Sequence, residues 1–278
     1  MAPGGSALDV SWLVAVFLLS LRLTATFLLT PVLAAASVPV VVRVLLVLGL
    51  AAALSLGLPP ASIAAASALT STGPLLAAAG AELALGATLA LGILLAFGAF
   101  SVAGNLLDVQ IGFGLAQVID PASNARAPIL TSAFGQLAAV VFFALDGHHA
   151  LLRGIAYSLE RFPLGTPWRL EAAFGPTVTQ AAGLFSLGFA LAAPVVFCIL
   201  LLDVALGVVS RNLPQMNMLA VGIPAKVVIG LVALSLWSSG AGDVMGRVYG
   251  SLYRSWDTTF GASAAAVPGP ALGPAEAR

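Results

Sequence analysis

Apolar residues fill long stretches of this chain, and charge interrupts them only sparsely. Val44 to Ala81, Leu83 to Leu107, Ala127 to Leu145, Ala172 to Leu202 and Val227 to Gly242 contain no Asp, Glu, Lys or Arg. About 20 apolar residues in a helix cross the hydrocarbon core of a bilayer, and these runs carry Ala and Leu with few turn clusters. The pattern predicts helices near Val10 to Leu29, Val38 to Leu58, Leu75 to Phe100, Ile129 to Leu145, Val178 to Leu202 and Met218 to Trp237, with a short one at Ile63 to Ser71. Pro31, Pro39, the Pro59-Pro60 pair and Pro74 punctuate the first half. Pro194 falls inside an expected helix and is expected to kink it.

Two stretches depart from this pattern. Between Asp146 and Pro176, Leu151, Ile155 and Leu159 recur at helical spacing beside Arg153, Glu160 and Arg161, which predicts a short amphipathic surface helix. From Asp243 to Phe260 charged and aromatic residues mix, and the Ala, Pro and Gly residues beyond have no core-forming pattern. The chain therefore divides into a helical membrane domain over 1–260 and a disordered tail over 261–278. Six spans would place Arg153, Arg161 and Arg169 on the same side as Arg247 and Arg254, the cytoplasmic side by the positive-inside rule.

Composition sharpens this reading. Only 8% of the 278 residues are charged, against about 25% in an ordinary soluble domain. The 11 cations balance the 11 anions, so no basic field draws nucleic acid, and no nucleic-acid partner is expected. The single cysteine, Cys198, lies in an apolar run, where it reads as a small hydrophobe and rules out an internal disulfide framework. No cation precedes Arg22, so the first apolar stretch lacks the charged start of a cleaved signal and is expected to stay in the mature protein.

Arg22, Arg43, Glu82, Asp108, Asp203 and Lys226 stand in or beside the apolar runs, where an ionised group costs at least about 2.5–3.5 kcal/mol at the bilayer centre. Two readings fit: inter-helix pairing or snorkelling, and a proton or ion relay. His148 and His149 are adjacent, with no third ligand evident nearby, so no metal site is expected. Leu106-Leu107-Asp108-Val109 with Gly112 echoes Leu201-Leu202-Asp203-Val204 with Gly207, but nothing extends the match into a repeat. Phosphate loops, nucleophile elbows and zinc motifs are missing from the sequence, so neither enzymatic activity nor a cofactor is expected.

The most informative segment runs from Gln110 to Pro128. Ile111, Phe113 and Leu115 alternate with Gly112, Gly114 and Ala116, and Val118, Ile119, Asp120 and Pro121 follow. Glycines make a helix costly here, and Pro121 pushes Asp120 away from helical dihedrals, which predicts an apolar loop between two apolar helices. Irregular backbone at membrane depth survives only when buried in protein or lining an aqueous path. The loop is therefore expected to close or line something, with Ile111, Phe113 and Leu115 on one side of an extended strand; a glycine-dependent helix crossing is the competing reading.

At these residues the chain resembles a known family. The run VQIGFGLAQVIDPAS, from Val109 to Ser123, is similar to the matching loop of the FliR family of flagellar export-gate subunits. TPVLAAASVPVVVR from Thr30, LDGHHALLRGIAYSLERFPLG from Leu145 and RNLPQMNMLAVGIPAKV from Arg211 match in the same order. The resemblance implies an all-α polytopic membrane protein with kinked helices and helical hairpins, one subunit of a conical hetero-oligomeric export gate. It further implies assembly with FliP and FliQ, contact with FlhB, conduction of unfolded flagellar proteins, and residence in the bacterial inner membrane at the flagellar basal body. In the family the loop matching Ile111 to Ala127 plugs the closed pore; here Leu115 and Val118 stand where some relatives carry aromatics, leaving Phe113 as its aromatic.

Two groups of residues are thus candidates. Gln110, Ile111, Gly112, Phe113, Gly114, Leu115, Val118, Ile119, Asp120 and Pro121 form the gate or plug loop. Pro214, Gln215, Asn217, Gly222, Pro224 and Lys226 form a bent corner expected at a subunit interface, where the amides can satisfy freed backbone groups. The alternatives are the equivalent subunit of a virulence injectisome and a secondary transporter coupled through Asp108, Asp203 and Lys226.

Overall fold

A computed structural model describes residues 10–31, 38–67, 69, 71–113, 117–119, 126–168, 171–212 and 218–265. In order these form α1 (Val10–Leu29), α2 (Val40–Leu56), α3 (Pro60–Ser67), α4 (Thr72–Ile111), β1 (Gln117–Ile119), β2 (Arg126–Pro128), α5 (Ile129–Ala144), α6 (Gly147–Arg161), α7 (Glu171–Asn212), α8 (Met218–Ser238) and α9 (Gly242–Ala265). The all-helical class expected from the apolar runs is borne out, with one short antiparallel hairpin added: Val118 pairs with Ala127 between Gln117–Pro128 and Ile119–Arg126.

Several boundaries differ from expectation, each for a local reason. The helix expected over Leu75 to Phe100 runs on to Ile111, because no proline interrupts Ser101 to Gln110. At 40 residues it is about 60 Å long, twice the roughly 30 Å hydrocarbon core. Likewise α7, with 42 residues, continues through Pro194. The stretch from Asp243, which the sequence left without an element, is helical to Ala265, buries Val248, Leu252, Trp256 and Phe260, and so carries the helix past the expected domain end at 260.

The described residues offer fewer than the six expected crossings. Among the described residues four helices are long and apolar enough to cross a membrane (α1, α4, α7 and α8), or five if the bent pair α5 and α6 forms one span; α2, with 17 residues, is too short. The chain is membrane-embedded, and its helices differ in role. In the most apolar window of α4, 61% is buried within the chain, against 22% in α7 and 17% in α8. Phe185, Phe189, Phe197 and Val204 of α7 and Val228, Val232 and Leu236 of α8 point outward, the surface that lipid or neighbouring subunits must cover.

The chain divides into two compact units, one of Met1–Gly92, His149–Val178 and Tyr253–Arg278, the other of Ile93–His148 and Thr179–Leu252. In the first, Gly86 lets α4 press on α1, since a Cβ there would collide with the Arg22 carbonyl and sit 2.8 Å from Ala25 Cβ. One turn away Arg22 and Glu82, both fully buried, pair at 2.6 Å. Arg22 also donates to Ser158 Oγ (3.0 Å) and the Phe162 carbonyl (2.9 Å), and Glu82 accepts from the Gly165 N–H at 3.1 Å. Gly165 holds the left-handed dihedral (φ 77°) that turns its N–H inward. One ion pair therefore joins α1, α4, α6 and the turn after α6.

In the second unit Phe97, Phe100 and Phe142 surround Tyr249, whose hydroxyl donates to the Ala138 carbonyl at 2.7 Å. Gly188 brings α7 against α4, 2.8 Å from the Ala99 carbonyl to where a Cβ would stand. The turn between α5 and α6 places Asp146 at φ 53°, with Gly147 under the Phe142 ring, where any side chain would clash.

Removing one partner of the buried pair leaves a charge unpaired in the interior, at a cost of about 3–5 kcal/mol. Glu82→Gln should therefore lower the thermal stability and recovered amount of the protein in detergent. The double replacement Arg22→Met with Glu82→Leu should restore much of both, and an unchanged melting temperature in the single variant would contradict this account.

Candidate functional site

The candidate loop is tied down at both roots within the second unit. Asp108, one turn before the end of α4 and almost fully buried, accepts from the Leu130 N–H (2.9 Å), the Thr131 N–H (2.7 Å) and the Thr131 hydroxyl (2.8 Å). Those two amides belong to the first turn of α5, whose own N-cap is Pro128 and supplies no side-chain cap. Helix starts carry unpaired N–H groups and a partial positive charge, so a carboxylate from a neighbouring helix completes α5 as a capping side chain would. Gly104, one turn back along α4, makes room: a Cβ there would lie 2.7 Å from Thr131 Cα and 2.9 Å from the Leu130 carbonyl.

The other root ends α4. Gly112 takes φ 98°, a conformation costly for any residue with a Cβ, and its N–H closes on the Asp108 carbonyl at 3.2 Å. Ile111 is fully buried, its side-chain carbons 2.7 Å from where a Cβ on Gly230 of α8 would stand. The expectation that Ile111 lies on one side of an extended segment is thus corrected. Gln110 and Ile111 are helical, Ile111 seats the loop's root in a notch made by Gly230, and irregular backbone starts at Gly112. Val118 and Ile119 belong to β1, while Gly114, Leu115, Asp120 and Pro121 lie outside the described residues.

A cleft of about 340 Å³ opens beside this root, lined by Gln110 and Gly112 of the α4 end, Asp203 and Ser210 of α7, and Gly222 and Lys226 of α8. Lys226 Nζ lies 2.7 and 2.9 Å from the two oxygens of Asp203, both side chains about a third exposed. Sequence spacing hid this pair, since its members stand 23 residues apart on two different helices. The cleft brings together part of the loop group and Gly222 and Lys226 of the corner group. Pro224 stays within α8, and Pro214, Gln215 and Asn217 lie outside the described residues.

The roles of the two echoed aspartates separate: Asp108 is a buried cap and Asp203 half of an open ion pair. The reading of His148 and His149 also changes. Asp146 does supply a third group, and one ligand atom from each residue lies within 4.8 Å of the others. Adjacent in the chain and exposed at two of three positions, they form a surface cluster away from the cleft's lining.

These apolar helices, long enough to span and folded around buried charges, define the class as a polytopic helical membrane protein. The chain belongs to the bacterial export proteins, family 1, whose profile matches residues 13–252. It is 33% identical over 139 residues to the flagellar biosynthetic protein FliR of Bacillus subtilis, covering 49% of this chain and 54% of that protein. With FliR of Escherichia coli it shares 28% over 222 residues, 80% of this chain and 83% of the relative. The surface presentation of antigens protein SpaR of Shigella flexneri is 32% identical over 140 residues, 50% of this chain and 54% of SpaR. The chain thus spans about half the length of the Bacillus relative in that match, and the family resemblance read from its four motifs is borne out.

Asp108→Ala leaves the two α5 amides without acceptors, at roughly 1–3 kcal/mol. Hydrogen exchange at Leu130 and Thr131 should accelerate in this variant, and less so in Asp108→Asn, which keeps one acceptor oxygen. Equal protection in all three forms would remove Asp108 from the loop's support.

Proposed function

We propose that this chain is a non-enzymatic gating subunit of the flagellar type III protein export channel in the bacterial inner membrane. The observation that carries this reading is the pair of fixed roots between α4 and α5, Asp108 capping the start of α5 and Gly112 with the buried Ile111 ending α4, in a chain of the bacterial export family. The flagellar form is favoured over the injectisome form because the Escherichia coli FliR match extends over 80% of the chain, against 50% for SpaR. FliP and FliQ are the proposed partners for the outward apolar faces of α7 and α8, with FlhB in contact and unfolded flagellar proteins as cargo. The corner of Pro214, Gln215, Asn217, Gly222, Pro224 and Lys226 is proposed to join that interface. A transporter reading loses ground, because Asp108 already spends its acceptors on α5 and Lys226 is paired with Asp203.

In this reading the plug is the segment from Gly112 to Pro121, with Phe113, Leu115, Val118 and Ile119 as its apolar part. Converging apolar side chains exclude water and close a pore by dewetting rather than by charge. Gly112 permits the backbone to swing, while the Asp108 clamp holds the roots. Phe113→Ser with Leu115→Ser should raise passive permeability to small solutes while the complex still assembles. Gly112→Val, strained at its positive φ, should keep the seal and slow secretion of flagellar proteins. Small-solute sensitivity of cells, secretion and co-purification of partners are the readouts. A double-Ser variant that assembles and stays as tight as the parent refutes the plug.

A further inference from the structure

Outside the cleft, the first unit carries a second group of polar and aromatic residues that the gating role does not use. Between α6 and α9 lies a groove of about 330 Å³ lined by Arg153, Tyr157, Tyr253, Trp256 and Asp257, with Gly154 at its base. Its walls are fixed. The Trp256 ring lies on Gly154, 2.7 Å from where a Cβ would stand, and its indole N–H donates to the Leu89 carbonyl at 3.3 Å. Tyr253 meets Trp256 at 6.0 Å between ring centroids and 61° between planes. Tyr157 donates its hydroxyl to Asp257 Oδ1 at 3.3 Å, and the Arg161 guanidinium stands 5.4 Å from the Tyr157 ring centre.

The charges in the groove are one of each sign, and they are not joined to each other. Arg153 and Asp257 are both exposed, and among the described residues neither forms an ion pair. A purely anionic ligand would meet the Asp257 carboxylate and a purely cationic one the Arg153 guanidinium, so a ligand carrying both charges is the one that complements both. Aromatic faces attract an ammonium group, and a guanidinium is the side chain best shaped for a phosphate. Desolvation raises the Tyr253 phenol above its ordinary pKa, which keeps a neutral ring and hydroxyl in the wall.

The composition of the two helices suits a membrane interface. Helix α9 is not among the helices apolar enough to cross, and α6 qualifies only as part of the bent pair with α5. Both are amphipathic: α6 buries Leu151 and Ile155 while exposing Arg153, Glu160 and Arg161, and α9 buries Leu252 and Trp256 while exposing Arg254 and Asp257. Such helices lie at headgroup depth, where Tyr and Trp are enriched. Two candidate spans, α7 and α8, separate them in sequence, and Trp256 of α9 rests on Gly154 of α6.

We propose that this groove binds the headgroup of a zwitterionic, primary-amine phospholipid, its phosphate on Arg153 and its ammonium between the Tyr253 ring and the Asp257 carboxylate. A primary ammonium can donate to the carboxylate, which a choline headgroup cannot, and a glycerol headgroup offers no cation at all. The test is native mass spectrometry of the purified complex of the full chain with its partners, titrated separately with phosphatidylethanolamine, phosphatidylcholine and phosphatidylglycerol. One phosphatidylethanolamine per copy of this chain should bind the parent about tenfold more tightly than it binds Arg153→Gln or Asp257→Asn. Both positions are exposed, so these variants are expected to assemble. Equal affinity for phosphatidylglycerol, or unchanged binding in both variants, overturns the proposal. So does a photo-crosslinker at Arg153 that captures a partner polypeptide and no lipid.

Discussion

Every backbone amide and carbonyl that leaves a helix among apolar neighbours must find a partner inside the protein, because lipid offers none. The segment after Ile111 is where this chain meets that demand, and the Asp108 carboxylate answers it by taking two N–H groups and a hydroxyl from the start of α5. The other features of the region follow from that clamp. Gly104 exists as glycine because α5 must come within reach of Asp108, and Gly112 because α4 must stop one turn later in a left-handed conformation. Ile111 in the Gly230 notch fixes the root against α8, which also brings Gln110 and Gly112 to the cleft edged by Asp203 and Lys226.

The buried charges obey the same rule in two ways. Arg22 and Glu82 are fully buried, so their pairing is completed by Ser158 and by backbone groups at Phe162 and Gly165 until most donors and acceptors are used. A buried pair of this kind gains little net stability over an apolar substitute, yet it is intolerant of losing one partner, which makes it a device for fixing how four segments meet. Asp203 and Lys226 are partly exposed and pair at the rim of a cleft, where a salt bridge is worth less than in the interior. The charges in the apolar runs therefore divide into buried and partly exposed ones, a distinction that residue type does not reveal.

Much of the fold was legible because burial in apolar surroundings leaves a coarse mark: long apolar stretches located α1, α5 and α8 to within a residue or two. Helix ends without turn residues were not legible, so α4 and α7 proved longer than their apolar centres. Helix α9 was missed because its apolar stripe of Val248, Leu252, Trp256 and Phe260 is diluted by charge on its other face, although that spacing is a helical signal. In the site, alternation of large and small residues put Ile111 in an extended segment although it ends α4, since a period of two and the end of a helix look alike over three residues. The Asp108 cap, the Gly230 notch and the Asp203–Lys226 pair join residues 20 or so positions apart or more, a relation that local pattern does not encode.

The proposed gate starts at Gly112, where α4 ends and the preceding Ile111 is buried against Gly230. Photo-crosslinking amino acids placed singly at Ile111, Phe113 and Val118, in cells where an export substrate with a folded C-terminal tag is stalled in the channel, test this directly. Crosslinks to the substrate from positions 113 and 118, and none from the buried position 111, are the predicted result. Substrate captured from position 111 as readily as from 113, or from neither 113 nor 118, would contradict it.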